Sequence, residues 1–275
     1  MNLISDILKK AWFCRAFEKK LFNLIEQKKF RFPLYLSAGQ ELIPATFASL
    51  FQFHYGLAGH GRPAIFAQHR AHSTYLCHGG SPSALIKELL GHEDGCSYGM
   101  GGSASIQSKD INMFGHDGLM GSQVPIAVGH ALSSEKFTVA IMGDASAEED
   151  YVLSSIAWAA TKKLPIIFIV EDNNLSILTE KKVRRNWSMV DFAKSVNCEA
   201  HECTDDPRDI EKAFDSMQSM PCLFNVNTNR LWWHAGAGID EEKKDTLADI
   251  TKELKLTELE ERAESMNEDL WKKAL

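Results

Sequence analysis

Between Ile141 and Asn174 the sequence reads IMGDASAEEDYVLSSIAWAATKKLPIIFIVEDNN, two apolar runs joined by a segment of helical period. The runs predict strands over 136–142 and 165–170, and the segment between them a helix over 147–163. Strands that are apolar almost throughout are covered on both faces, the condition of parallel strands in an α/β sheet. Two parallel strands need a long crossover, and a helix of this length supplies it. The unit therefore selects an α/β fold: a central, mostly parallel sheet with helices on both faces.

Ligands of such sheets sit beyond the carboxyl ends of the strands, where the connecting loops diverge. Both runs end there in polar tips, Gly143-Asp144-Ala145-Ser146 at the first and Glu171-Asp172-Asn173-Asn174 at the second. Asp144 offers a carboxylate, Asn173 an amide oxygen and Leu175 a backbone carbonyl. These are hard oxygen donors of the kind Mg2+ takes when phosphate oxygens complete its octahedron. Ser146-Ala147-Glu148-Glu149 matches a capping box, and the free N–H groups of the helix it opens suit an anion. Glu148 and Glu149 are expected to face away from that anion. Either tip alone is an ordinary turn; both, flanking one crossover in this order, predict a site for a metal-bound diphosphate.

Helices are predicted over 3–28, 40–53 and 82–90, the last capped by Ser81 with Pro82 at its first position. A glycine-rich connection with seven Gly between Gly95 and Gly121 follows, long enough to be functional, and its bulky apolar residues argue against disorder. Beyond it a helix is predicted over 122–134, and beyond the βαβ unit a helix near 189–196, a strand near 198–203, a helix over 207–217 and a strand over 222–227. Charged, helix-forming sequence runs on from about 241. With 275 residues, 44% of them hydrophobic, the chain can bury the core of one large domain spanning 1–275.

Thirty Lys and Arg against 37 Asp and Glu, with no basic block interleaved with aromatics, argue against nucleic acid as a partner. Lys and Asp interrupt the apolar pattern of MNLISDILKKAWFCRAFEKKLF, which reads as an amphipathic helix and not a signal peptide. No apolar run reaches the ~18 residues of a membrane span. Six scattered Cys without a CxxC pair suit reduced thiols, and the expected location is the cytoplasm.

A second series of motifs makes the assignment specific. His69-Arg70-Ala71-His72, Gly79, Ser81, Cys96, Gly101-Gly102-Ser103 and Gly118-Leu119-Met120-Gly121-Ser122-Gln123-Val124-Pro125 follow one another in order, with Gly39-Gln40-Glu41 upstream. Together with the two strand tips, this series resembles the α subunits of thiamine-diphosphate-dependent 2-oxo acid dehydrogenases, the E1 components, in a short form; the resemblance spans about residues 30 to 240. It implies the thiamine-diphosphate-binding fold, with thiamine diphosphate and Mg2+ as cofactors.

On that resemblance Asp144, Asn173 and the Leu175 carbonyl are the metal ligands. The backbones at Ala145 and Ser146 face the diphosphate. Arg70 holds it, with His69 beside it, and a guanidinium fork suits that task. The backbones of Gly118 and Met120 bond the aminopyrimidine, and the Met120 side chain wedges beneath the thiazolium. The cofactor supplies the carbanion chemistry, and the protein orientation and proton handling. His234, in Arg230-Leu231-Trp232-Trp233-His234-Ala235, matches the family histidine that donates a proton or stabilises an intermediate, and His72 is a second candidate on a facing loop. The glutamate that activates the aminopyrimidine comes from a separate β subunit in the two-chain members, so the expected assembly is an α2β2 heterotetramer acting on a small-molecule substrate.

The chain departs from the family pattern at several positions. Ala145 stands where Gly is usual and Asp172 where Asn is usual; Ala235 replaces the phosphorylatable Ser; Ser105 stands where His is frequent; Trp232 and Trp233 replace smaller or polar residues and are expected to reshape the substrate cavity. The basic residues Lys181, Lys182, Arg184 and Arg185 read as a solvated loop, with a charged substrate or a partner surface as the other reading. Two alternative functions stand beside 2-oxo acid decarboxylation. One is the amino-terminal half of a split transketolase, which the HRAH and GLMGSQVP motifs disfavour. The other is a scaffold for the β partner, suggested by Ala145 and Asp172.

Overall fold

The computed structural model describes residues 3–30, 32–56, 62–235, 240 and 242–274. Its strands are β1 (Ala64–Phe66), β2 (Met113–Phe114), β3 (Thr138–Gly143), β4 (Ile166–Asp172), β5 (Leu175–Ser176), β6 (Thr179–Glu180), β7 (Glu199–Thr204) and β8 (Cys222–Asn227). Six of them form one parallel sheet in the order β2-β1-β3-β4-β8-β7, while β5 and β6 make a separate antiparallel hairpin.

Helices cover both faces, as the apolar runs required: α1 (Leu3–Glu26), α2 (Leu42–Tyr55), α3 (His72–Cys77), α4 (Pro82–Leu89), α5 (Gln123–Ser134), α6 (Asp150–Lys162), α7 (Lys181–Arg184), α8 (Met189–Ser195), α9 (Pro207–Ser216), α10 (Thr246–Glu253) and α11 (Glu258–Ala274). Side chains of a strand alternate between faces. Val139, Ile141, Ile167 and Ile169 accordingly join one core with Phe17, Phe47, Leu85 and Phe214, whereas Ala140, Met142, Phe168 and Val170 join the other with Val124, Ile156 and Val190. The chain leaves β1 for the outer strand β2 but leaves β3 in the opposite direction for β4, so the loops after β1 and β3 diverge and open a crevice at their carboxyl ends.

The strands β1 and β2 and the helix α3 are additions to the sequence reading. The glycine-rich connection is ordered around one carboxylate: buried Glu88 accepts from the backbone N–H groups of Ser97 (2.7 Å), Gly99 (2.9 Å), Gly101 (2.8 Å) and Gly102 (2.9 Å). Four donors on one buried acid explain why that segment is rich in glycine, which lets the backbone fold back on a single point. Ser81 caps α4 as expected, accepting from the Ala84 N–H. Glu241, where the charged extension was expected to begin, lies outside the described residues; the helix itself starts at Thr246, capped by Asp245. The extension packs onto α1, with fully buried Trp271 5.2 Å from the ring of Phe17 and Leu259 and Ala263 against Ile7, Leu8 and Ala11. Among the described residues no helix is long and apolar enough to cross a membrane.

Candidate active site

The crevice beyond β1, β3 and β4 holds a cavity of about 380 Å³. At one end stands Asp144, the residue after β3, only 1% exposed. Burial and the neighbouring Asp172 push its carboxyl up to about 6, against the hydrogen bond it accepts from Arg184. Asn173 is buried beside it, with its orientation fixed on both sides: Nδ2 donates to Gln40 Oε1 (3.0 Å), and Oδ1 accepts from the Leu175 N–H (3.0 Å) while keeping a second lone pair. Gln40 reaches it because Gly39 (φ +94) lets the chain pass so close to Asn229 that a Cβ would lie 2.2 Å from its carbonyl oxygen. In the β5–β6 hairpin the Lys181 N–H donates to Asn174 O (3.0 Å), and hydrogen-bonded pairs alternate along such a ladder, so the Leu175 carbonyl stays outside it. A carboxylate, an amide oxygen and a free carbonyl thus meet where the sequence placed them, and this donor set fits a hard divalent cation.

The expected capping box does not form. Ser146–Glu148 is one turn of 3-10 helix, and α6 begins only at Asp150, with no side-chain cap from Ser146 or Glu149. The carboxylate of that box would be Glu149, but Glu149 itself is extended (φ −64°, ψ 139°) and precedes α6, so it is not the third residue of a helix opened by Ser146. Glu148 instead accepts from Arg184 Nη1 (2.8 Å). Glu149, expected to face outward, lines the cavity together with Ala145 and Ser146. Ala145 has φ −74° and ψ −39°, so the position makes no demand that only glycine meets.

The other end is a cluster of uncharged rings. His69 packs edge-on against Tyr35 (centroids 4.7 Å) and lies 5.7 Å from His234 and 6.2 Å from His116. Both ring nitrogens of His69 are shielded without a partner among the described residues, and burial, then Arg70 and His234, drive its pKa down to about 2. Arg70, buried, donates to the Leu36 carbonyl and to His234 Nδ1 (3.1 Å), and burial with Arg230 nearby lowers it to about 10. His234 falls to about 4 through burial, then Arg70 and Arg230. Because its Nδ1 accepts from Arg70, the neutral ring carries its proton on Nε2. His116 is fixed the same way, its Nδ1 accepting from the Gly118 N–H (3.1 Å). Gly118 and Met120 both line the cavity. The Gly118 N–H and the Met120 carbonyl, which takes the Tyr151 hydroxyl, are engaged, leaving the Gly118 C=O and the Met120 N–H without partners among the described residues.

The model of one family, described as Dehydrogenase E1 component, matches residues 11–211. The chain belongs to the dehydrogenase E1 component family. Relatives include pyruvate dehydrogenase E1 component subunit alpha-1 of Oryza sativa, 36% identical over 42% of this chain and 31% of that protein. The subunit alpha of Zymomonas mobilis is 28% identical over 63% of this chain and 49% of that protein. The chain thus spans half or less of the length of these curated relatives. Solved transketolases share the fold: that of Campylobacter jejuni aligns with 99% of this chain and 49% of its own (TM-score 0.61, 17% identity), and that of Pichia stipitis with 100% and 45% (TM-score 0.62, 15% identity).

Several expectations for this E1-family chain are corrected by its structure. His72 does not line the cavity: fully buried at the start of α3, it uses both ring nitrogens, donating from Nδ1 to Glu18 (2.8 Å) and bonded at Nε2 to Ser103 Oγ (2.9 Å). It ties α1 to the glycine-rich loop and has no nitrogen left for a substrate. Trp232 and Trp233 do not line the cavity; both pack on Phe22 of α1, Trp233 stacked at 4.5 Å and Trp232 tilted at 5.0 Å. Nor is the basic run a solvated loop. Lys181 is docked on Asp172 and Arg184 on Asp144 and Glu148, and only Lys182 reaches out to solvent, its side chain 76% exposed and paired with Glu180 (2.6 Å).

Tyr35, Gln68, His116 and Arg230 were missed by sequence reasoning, and Arg230 is held by a buried ion pair with Asp240 (2.6 Å). A larger cavity, about 740 Å³ between Asp172, Arg185 and Trp187, contains none of the three oxygen donors or the imidazoles.

Proposed function

We propose that this chain is the α-like part of a thiamine-diphosphate- and Mg2+-dependent E1 enzyme that decarboxylates a 2-oxo acid and passes on the acyl or aldehyde unit. It would act with a separate β subunit in an α2β2 assembly. The observation that carries this reading is the meeting of Asp144, Asn173 and the Leu175 carbonyl at one end of a cleft whose other end holds Arg70 and three imidazoles, in a chain of the E1 family. The cavity volume lies in the range that takes small-molecule cofactors. The six cysteines are all free thiols, in keeping with a cytoplasmic enzyme.

When bound, thiamine diphosphate would supply the electron sink for decarboxylation, and Mg2+ would neutralise its diphosphate. Asp144, Asn173 and Leu175 would hold the metal, and Arg70 the diphosphate, with Ala145 and Ser146 offering backbone groups. Burial and two guanidinium groups lower the His234 pKa to about 4, so the ring is neutral in the cleft described above. Its Nε2–H would act as a donor that orients and stabilises negative charge developing on the substrate. His116 presents the same nitrogen in the same tautomer.

Co-expression with its β partner and assay of the complex with a 2-oxo acid and with a ketose donor tests the reading. Mg2+-dependent carbon dioxide release from the 2-oxo acid is expected. Two-carbon transfer from the ketose without carbon dioxide would replace it with the transketolase reading. In the same assay His234→Ala is expected to lower turnover about 100-fold or more while cofactor affinity stays within about threefold.

A further inference from the structure

We infer that Arg184 is a tethered cation that competes with Mg2+ for Asp144, so that this arginine sets the metal concentration at which the cleft binds a diphosphate. The inference rests on the metal–diphosphate reading of the cleft given above.

Arg184 Nη2 donates to Asp144 Oδ2 and Nη1 to Glu148 Oε1 (2.8 Å), with the arginine side chain only 13% exposed. A carboxylate as buried as Asp144 is costly to leave ionised without a cation, and in the metal-free protein the guanidinium fills that need. Mg2+ bound to the same carboxylate would bring a double positive charge within a few ångströms of the arginine in a poorly screened site. Like charges at that range repel strongly, so metal entry displaces the guanidinium from Asp144 while Glu148 remains to receive it.

The local fold makes this exchange mechanically easy. Arg184 ends α7, a single turn that contributes no buried residue, and the neighbouring Val183, Ile177 and Leu178 are exposed. The root of the arm is held independently, by Lys181 on Asp172 and by Arg230 Nη2 on the Ile177 carbonyl (2.8 Å). Arg184 can therefore leave Asp144 without unpacking the core or moving Asn173. The same arm carries Leu175, so the metal ligand and its competitor lie on one short stretch of chain.

The test is a calorimetric titration of Mg2+ plus thiamine diphosphate into the full chain with its partner, comparing the parent with Arg184→Ala and Arg184→Lys. Thermal unfolding without metal is measured in parallel. Arg184→Ala is expected to bind about tenfold tighter, the scale of one lost charge-assisted hydrogen bond. Its metal-free midpoint should fall, and Mg2+ alone should raise that midpoint more than it raises the parent's. Arg184→Lys, which keeps the charge without the fork, should lie between the two and serves if the alanine variant folds poorly. Weaker binding by Arg184→Ala would overturn the inference and make Arg184 a diphosphate ligand. Unchanged binding would overturn it too, leaving an ion pair without consequence for the metal. If neither parent nor variants bind, the cofactor reading itself falls, an outcome distinct from binding that ignores position 184.

Discussion

The two ends of the cleft neutralise charge in opposite ways. At the Asp144 end, three carboxylates and two cations are paired with one another: Asp144 and Glu148 with Arg184, Asp172 with Lys181. At the imidazole end burial together with Arg70 and Arg230 keeps His69 and His234 neutral by pushing their pKa values down, and exposed Asp117 comes only within 4.0 Å of His116 Nδ1. At one end the cations are paired with carboxylates; at the other two guanidinium groups stand beside neutral rings. On the proposed reading the difference separates binding from chemistry, because a diphosphate would need positive charge while a substrate losing carbon dioxide would need a donor that does not release its proton to bulk water.

Removing Asp144 should break that contrast most severely. Asp144→Ala is expected to lower Mg2+-dependent thiamine diphosphate affinity by at least about 100-fold in calorimetry, beyond what loss of an outer-shell contact costs. Affinity within threefold of the parent would place the metal elsewhere.

Glu171 sharpens the boundary between the ends, since it is a fully enclosed carboxyl with no cation in direct contact. Burial pushes it up to about 7 from an ordinary 4.5, against the Gln68 hydrogen bond and the charge of Arg70. The folded protein keeps this proton where the unfolded chain has lost it, so stability declines as pH rises from about 4.5 to about 7. Glu171→Gln removes the decline. Urea unfolding at pH 4.5 and pH 8 should show the variant gaining on the parent by on the order of 3 kcal/mol, and parallel behaviour at both pH values would contradict the assignment.

The smallest effect is expected at Ala145. Its backbone is already right-handed, so Ala145→Gly should change cofactor affinity less than about twofold and cost ~1 kcal/mol or less in unfolding free energy, through the added freedom of the unfolded chain. A tenfold gain in affinity would mean that the bound state needs a left-handed backbone there.

What was legible from sequence follows the range of the forces involved. Strands β3 and β4 were readable because their apolar runs are local and continuous, and Asp144, Asn173 and Leu175 followed from the place where those runs end. Strand β1 is three residues and β2 two, too short for any period to register. The helix start after β3 was misread because the chain makes a 3-10 turn over Ser146–Glu148 and an extended residue at Glu149 before α6, a break that helix-forming residue types do not announce. Tyr35 belongs to a stretch without helix or strand, and reaches the cleft only because the Ser103 hydroxyl accepts from its N–H (2.8 Å). His116 gave one local hint, its place two residues before Gly118 in a loop already suspected of carrying function.

The packing of Phe22 on Trp232 and Trp233 has a consequence for biosynthesis. The histidine loop is anchored to α1, which precedes it in the chain, and α1 is clasped in turn by Trp271 of α11, which follows it. The Asp144 and Asn173 tips can form once β4 has left the ribosome. The imidazole end must wait for His234, some 60 residues further along the chain and roughly 3–12 seconds later at ~5–20 residues per second. During that interval the nascent protein carries the Asp144 and Asn173 tips without the imidazole that faces them.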